Sequence, residues 1–141
     1  MLERTPAALY TRRVIFENNH DLAHRMTPGR MLQELRWAWL LEGGARWLAG
    51  QTVHARPAIT RRLREGRRPS FPPGPRDAAL LGATVIDLLA CEEGGAAAAR
   101  FVCRLHPRGP RAALSEAFRG RALAHTEGAW RSHLARLASA R

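Results

Sequence analysis

The chain contains no lysine. Its 23 basic residues are all arginine, set against 12 acidic residues, so 141 residues carry a formal net charge of +11. Strong basicity ordinarily points to nucleic acid or another anionic partner. Here the missing lysine goes with an abundance of Ala, Gly and Pro, a bias of the kind that GC-rich coding produces. The arginines are scattered and become dense only over 56–76. The charge therefore speaks for solubility and acidic partners more than for a dedicated nucleic-acid site. Cysteine is scarce as well. Cys91 and Cys103 stand twelve positions apart, which excludes a disulfide framework and a Cys-x-x-Cys pair. Both read as reduced, buried, small hydrophobes. Cys103-x-x-His106 has metal-like spacing, but a lone pair of this kind reads as structural. There is no apolar run long enough to span a membrane, since Glu42 and Arg46 interrupt the one that begins at Trp37. Residues 1–13 hold no apolar stretch of signal-peptide type, which implies a cytoplasmic chain if Met1 is the true start.

What is present is a globular composition. Hydrophobic residues make up 45% of the chain, enough for one domain with a modest core. Apolar spacing of three and four predicts helices over 18–26, 31–49, 58–65, 77–91, 96–106, 112–118 and 126–137. The fold class is thus mainly α, with little or no β-sheet. Residues 1–13 read as an arm or partial helix, 14–50 as the helices of a metal site, 51–76 as an irregular basic segment, and 77–137 as the closing helices. Val14, Ile15 and Phe16 either open a helix or precede it as a strand. Pro69, Pro72, Pro73 and Pro75 forbid regular structure over 67–75 and put that segment on the surface. Asp77 is placed to cap the helix that follows it. The four tryptophans read as core, with Trp130, Leu134 and Leu137 docking the last helix.

The chemistry concentrates in 20–42. His20 and His24 are four apart, which stacks them on one helical face. Two imidazoles so placed can grip one metal ion. A carboxylate from a second helix, Glu42, completes three protein ligands and leaves a fourth position open, the layout of a catalytic zinc site. The apolar flanks of Glu42 strengthen this reading, because a buried charge needs a partner. Gly43 and Gly44 inside a helix cost about 1 kcal/mol each relative to Ala, which predicts close packing against the helix bearing the histidines.

These residues carry a resemblance. His20-Asp21-x-x-His24 followed by Trp39-Leu40-Leu41-Glu42-Gly43-Gly44-Ala45 resembles the zinc metallopeptidases of the gluzincin type, most of all their bacterial peptidase MA-like branch. That branch has His-Glu-x-x-His on one helix and Trp-Leu-x-Glu-Gly-x-Ala on the next. Leu114-Ser115-Glu116-Ala117-Phe118 and Glu127-Gly128-Ala129-Trp130-Arg131 resemble its closing helices, so the likeness runs over 14–137. It implies the helical part of a zincin-like domain, zinc as cofactor, His20, His24 and Glu42 as metal ligands, Asp21 as the catalytic base, and a peptide or protein as substrate. Asp21 stands where the family pattern has Glu, so the base loses one methylene, roughly 1.5 Å of reach. The family commonly draws a downstream Tyr or His to stabilise the oxyanion. The only tyrosine, Tyr10, lies upstream, and spacing selects none of His54, His106 and His125. The resemblance therefore implies a weak or inactive peptidase. It also implies a sheet ahead of the metal helix, for which the residues before His20 leave no room. Three readings account for this gap: a start misassigned at Met1, a second chain that supplies the missing half, or a degenerate relative. Two rival readings stand beside it: a basic helical nucleic-acid-binding module, which would use the arginines of 61–68, and a metal-free helical interaction domain derived from a peptidase. The bland reading of those arginines is a solvated face.

Overall fold

The fold was read from a computed structural model, which describes residues 6–19 and 28–139. Among these residues there are seven α-helices and no strand. In chain order they are α1 (Pro6–Asn18), α2 (Pro28–Leu48), α3 (Arg56–Arg64), α4 (Ala78–Glu93), α5 (Gly95–Cys103), α6 (Pro110–Ala117) and α7 (Leu123–Ser139), with a short 3₁₀ turn at Gln51–His54. No helix among the described residues is long and apolar enough to cross a membrane. Proline stands first in α1, α2 and α6, where its fixed φ suits the first turn and its missing N–H leaves no bond unmade. Residues 12–16, open to helix or strand in sequence, lie within α1.

The helix at the centre is α4. Leu81, Gly82, Ala83, Thr84, Val85 and Ile86 are buried in succession, so this helix is covered on every side rather than along one stripe. Its broadest partner is α2. The two approach at Gly43 and Gly82, where a Cβ on either residue would overlap the other helix's backbone. A Cβ on Gly44 would meet the Val102 side chain of α5. The glycine pair does mark a close approach, and its partners among the described residues are α4 and α5; the stretch expected to carry the histidines lies outside the described residues. Trp37, Trp39 and Leu40 are buried, whereas Met31, Leu32 and Leu35 in the first turns of α2 are exposed. Their helical spacing extends past the point where α4 covers the helix.

The segment between α3 and α4 has neither helix nor strand, as its prolines require. It does not simply lie on the surface, because Pro69 and Pro73 are buried. The Phe71 ring sits 5.1 Å from the Trp130 ring, and Arg131 donates to the Pro69 carbonyl at 3.0 Å. A guanidinium closes the segment at its base. Arg62 Nε and Nη2 donate to Asp77 Oδ1 and Oδ2 at 2.6 and 2.8 Å, and Arg62 Nη1 donates to the Glu65 and Arg67 carbonyls. This hydrogen bonding holds the Arg62 proton more firmly than usual. Arg61, Arg64, Arg67 and Arg68 are exposed, in line with a solvated face, but Arg62 belongs to the frame of the fold. Asp77 precedes α4 without making a side-chain cap bond, since its carboxylate is committed to Arg62.

Candidate metal centre

Helix α7 meets α4 through two polar pairs. Trp130 Nε1 donates to Thr84 Oγ1 at 2.8 Å in the buried interior. One turn further along, His133 Nε2 lies 2.8 Å from Asp87 Oδ2. Both pairs are separated by 46 positions, so the two helices run parallel where they touch and stay in register over a full turn. The inner pair is sealed in the core. At the outer pair His133 is 5% exposed and the Asp87 side chain 27%. Cys91 follows Asp87 by four and therefore shares its face of α4. Asp87, Cys91 and His133 each present a donor atom, and these atoms lie within 4.8 Å of one another. A carboxylate oxygen, a thiol sulfur and an imidazole nitrogen this close can hold a metal ion. The cluster opens outward at Cys91, which is exposed.

The protonation pattern follows from the partners. Arg136 Nη2 lies 3.2 Å from His133 Nδ1. Guanidinium only donates, so Nδ1 accepts, and in the neutral ring the proton sits on Nε2 and is directed to Asp87. The Cys91 thiol is pushed above its ordinary pKa, first by shielding from water and then by the Asp87 charge, with Arg136 acting in the opposite sense. An exposed thiol held protonated at neutral pH is a poor nucleophile. The thiolate is also the form that a metal ion binds, so a cation held by the cluster would have to displace the thiol proton.

His20, Asp21 and His24 lie outside the described residues. Glu42 is on α2, half-buried, with Oε1 2.6 Å from Arg12 Nη1 of α1. The last described residue before His20 is Asn19, which is tied to the far end of α5. It donates to the Cys103 carbonyl at 3.1 Å and accepts from the Leu105 N–H at 3.0 Å. Among the histidines weighed for the oxyanion, His54 and His125 are exposed. His106 is engaged on both nitrogens, accepting from the Arg108 N–H at 3.0 Å and facing Glu116 at 2.9 Å. That makes it structural and leaves Cys103-x-x-His106 without a free ring nitrogen. Tyr10 is exposed on α1. Both cysteines are free, but Cys91 is exposed and Cys103 half-buried, in contrast to the burial expected of them.

Sequence singles out neither Asp87 nor His133, and it presents Cys91 as a reduced, mostly buried small hydrophobe. The available clue was Asp87-x-x-x-Cys91 on a strongly predicted helix. His133 was hidden because its partner is set by the parallel register of α4 and α7, a tertiary fact. No family model matches the sequence, and comparison with curated proteins and with solved structures likewise returns no match.

Proposed function

We propose that the protein is a zinc-dependent, peptidase-like helical domain of low or vestigial activity, with His20, His24 and Glu42 as the zinc ligands and Asp21 as the base. The observation that supports this reading most is the position of Glu42. Its half-buried carboxylate is turned toward α1, the helix that leads into His20. Asn19 and Gly44 both meet the same end of α5, so the chain entering the histidine stretch and the second residue after Glu42 share a neighbour. Arg12 engages one carboxylate oxygen, and a carboxylate has further lone pairs to offer. Imidazole and carboxylate donors suit zinc. Zinc, when bound, supplies a Lewis acid that brings the pKa of water toward about 7. Asp21 would take a proton from the attacking water and deliver it to the leaving amine, and its short side chain accounts for weak turnover.

The test is zinc content together with hydrolysis of unfolded casein-like and short peptide substrates. It is run on a Cys91→Ser background so that metal at the α4–α7 cluster does not enter the count. One zinc per chain is expected, lost in His20→Ala and in Glu42→Ala. Asp21→Ala should keep the zinc and lose hydrolysis by about 10²–10⁴-fold. Zinc that is indifferent to His20 and Glu42 would end the proposal. Stoichiometric zinc with no hydrolysis, even in Asp21→Glu, would leave a vestigial site.

One observation favours the rival nucleic-acid reading. Arg56, Arg61 and Arg64 line a shallow hollow on α3 and are exposed. Tight binding of short duplexes that weakens steeply with salt would support it.

A further inference from the structure

We propose that Asp87, Cys91 and His133 form a second cation site, separate from the one above, for a thiophilic divalent ion of the zinc type. Three features of the structure support it. The donors are one oxygen, one sulfur and one nitrogen, within 4.8 Å of one another. Sulfur ligation selects against magnesium and calcium, which take oxygen, while the mixed set suits zinc and its neighbours. Two of the three ligands come from successive turns of the most buried helix, and the third is fixed by the Trp130–Thr84 bond one turn below it. The geometry is therefore set by packing and does not depend on a loop. The third feature is that Cys91 is exposed, so an ion can reach the cluster from solvent.

The site as built holds a proton where the cation would go. Asp87 Oδ2 and His133 Nε2 are 2.8 Å apart. Two ligands of a tetrahedral ion with bonds of about 2.0–2.1 Å stand about 3.3 Å apart, so binding must part this pair by roughly half an ångström. Ligation through Nε2 also requires the ring proton to move to Nδ1, where Arg136 now donates. Arg136 is exposed and can swing into solvent. It thus opposes the metal-binding tautomer, so the site should bind more tightly without it. Arg136 also favours the Cys91 thiolate, but the arginine is exposed and the field of an exposed charge is screened by salt, whereas its donation to Nδ1 is direct.

The experiment titrates cobalt(II) into the full chain after chelator treatment and reads the near-ultraviolet absorption from thiolate to cobalt. The site at His20, His24 and Glu42 contains no sulfur and cannot produce that band, so the two sites are read independently. Wild type and His20→Ala should both show the band, and Cys91→Ser should abolish it. Cys91 is exposed, so the serine variant is expected to keep the helical circular dichroism of wild type. Asp87→Asn, nearly isosteric, should weaken cobalt binding by at least the about 10–100-fold that outer-shell changes cause. Arg136→Ala should tighten it by about two- to tenfold, the range of one hydrogen bond. Absence of the band in wild type, or its survival in Cys91→Ser, would overturn the site. Weaker binding in Arg136→Ala would overturn the role given to the arginine.

Discussion

Arg62 and Asp77 show how much one side chain can carry. The pair is bidentate and mostly withdrawn from water, with side chains 20% and 11% exposed. Replacing Arg62 by Ala would strand a carboxylate that the fold has already desolvated, a loss of about 3–5 kcal/mol. Arg62→Lys should recover only part of it, because an ammonium cannot reproduce the fork. Urea unfolding measures both, and a loss under about 1 kcal/mol would show that the clamp is ornamental. Cys91 allows a second test at this scale. Its thiol is pushed up by shielding and by Asp87, so at neutral pH less of it is thiolate than in an ordinary exposed cysteine. Alkylation at Cys91, followed by mass spectrometry to separate it from Cys103, should be slow despite its exposure and should accelerate as pH rises. Asp87→Asn should speed it at a given pH, and an unchanged rate would remove the carboxylate as a cause. Neither arrangement was legible from residue order. Sequence places Arg62 among five arginines and cannot say which one turns inward. It puts Asp87 and Cys91 on one face, yet is silent about the helix that lies across from them.

At the scale of elements, the chain is organised by the crossing of α2 and α4. Helix existence was legible from α2 onward, because apolar spacing of three and four is a local property, whereas α1 (Pro6–Asn18) was expected only as an arm or partial helix and most of the helix expected over 18–26 lies outside the described residues. The expectation over 77–91 corresponds to Ala78–Glu93, and that over 126–137 to Leu123–Ser139. The cost of Gly43 inside a helix also announced a close contact, but which helix approaches depends on chain reversal, and Gly82 gave no comparable warning. These glycines differ in what surrounds them, which sets up a graded test. A methyl on Gly43 or Gly82 runs into backbone, which cannot turn aside. Ala at either position should destabilise by about 1–3 kcal/mol or more, outweighing the gain of about 1 kcal/mol in helix propensity. Gly44→Ala meets the methyls of Val102, which can rotate, so its loss should be smaller. Gly128 in α7 has nothing within 4 Å of the added carbon, and Gly128→Ala should stabilise by about 0.5–1 kcal/mol. Thermal unfolding of the four variants reads the order. If Gly82→Ala were as stable as Gly128→Ala, the backbone contact of α2 with α4 would not exist in solution.

At the scale of the whole molecule the dominant fact is charge. The mainly helical class could be read from the sequence, but the consequence of +11 is settled by how the cations are distributed. Arg13 pairs with Glu17 at 2.8 Å, Arg119 with Glu93 at 2.6 Å and Arg121 with Glu92 at 2.8 Å. Exposed pairs of this kind contribute about 0–1 kcal/mol each and weaken as salt is added. Against 23 arginines, 12 acidic residues leave a net excess of 11 positive charges. That excess repels itself in the folded state more than in the expanded chain. Raising ionic strength from about 0.1 M to about 1 M shortens the screening length from about 10 Å to about 3 Å. It removes attraction within a few surface pairs and repulsion among the whole excess, and the second effect is the larger. Stability against urea should therefore rise with added sodium chloride. Guanidinium chloride is the wrong denaturant for this comparison, because it supplies its own screening. The same titration separates the rival functions. Binding to nucleic acid would weaken with salt in proportion to the phosphates neutralised, while the unbound fold grows more stable, so the two responses have opposite signs. A urea midpoint that falls as salt is added would mean that the ion pairs, including Arg62–Asp77, outweigh the repulsion and that the arginine excess is already balanced within the fold.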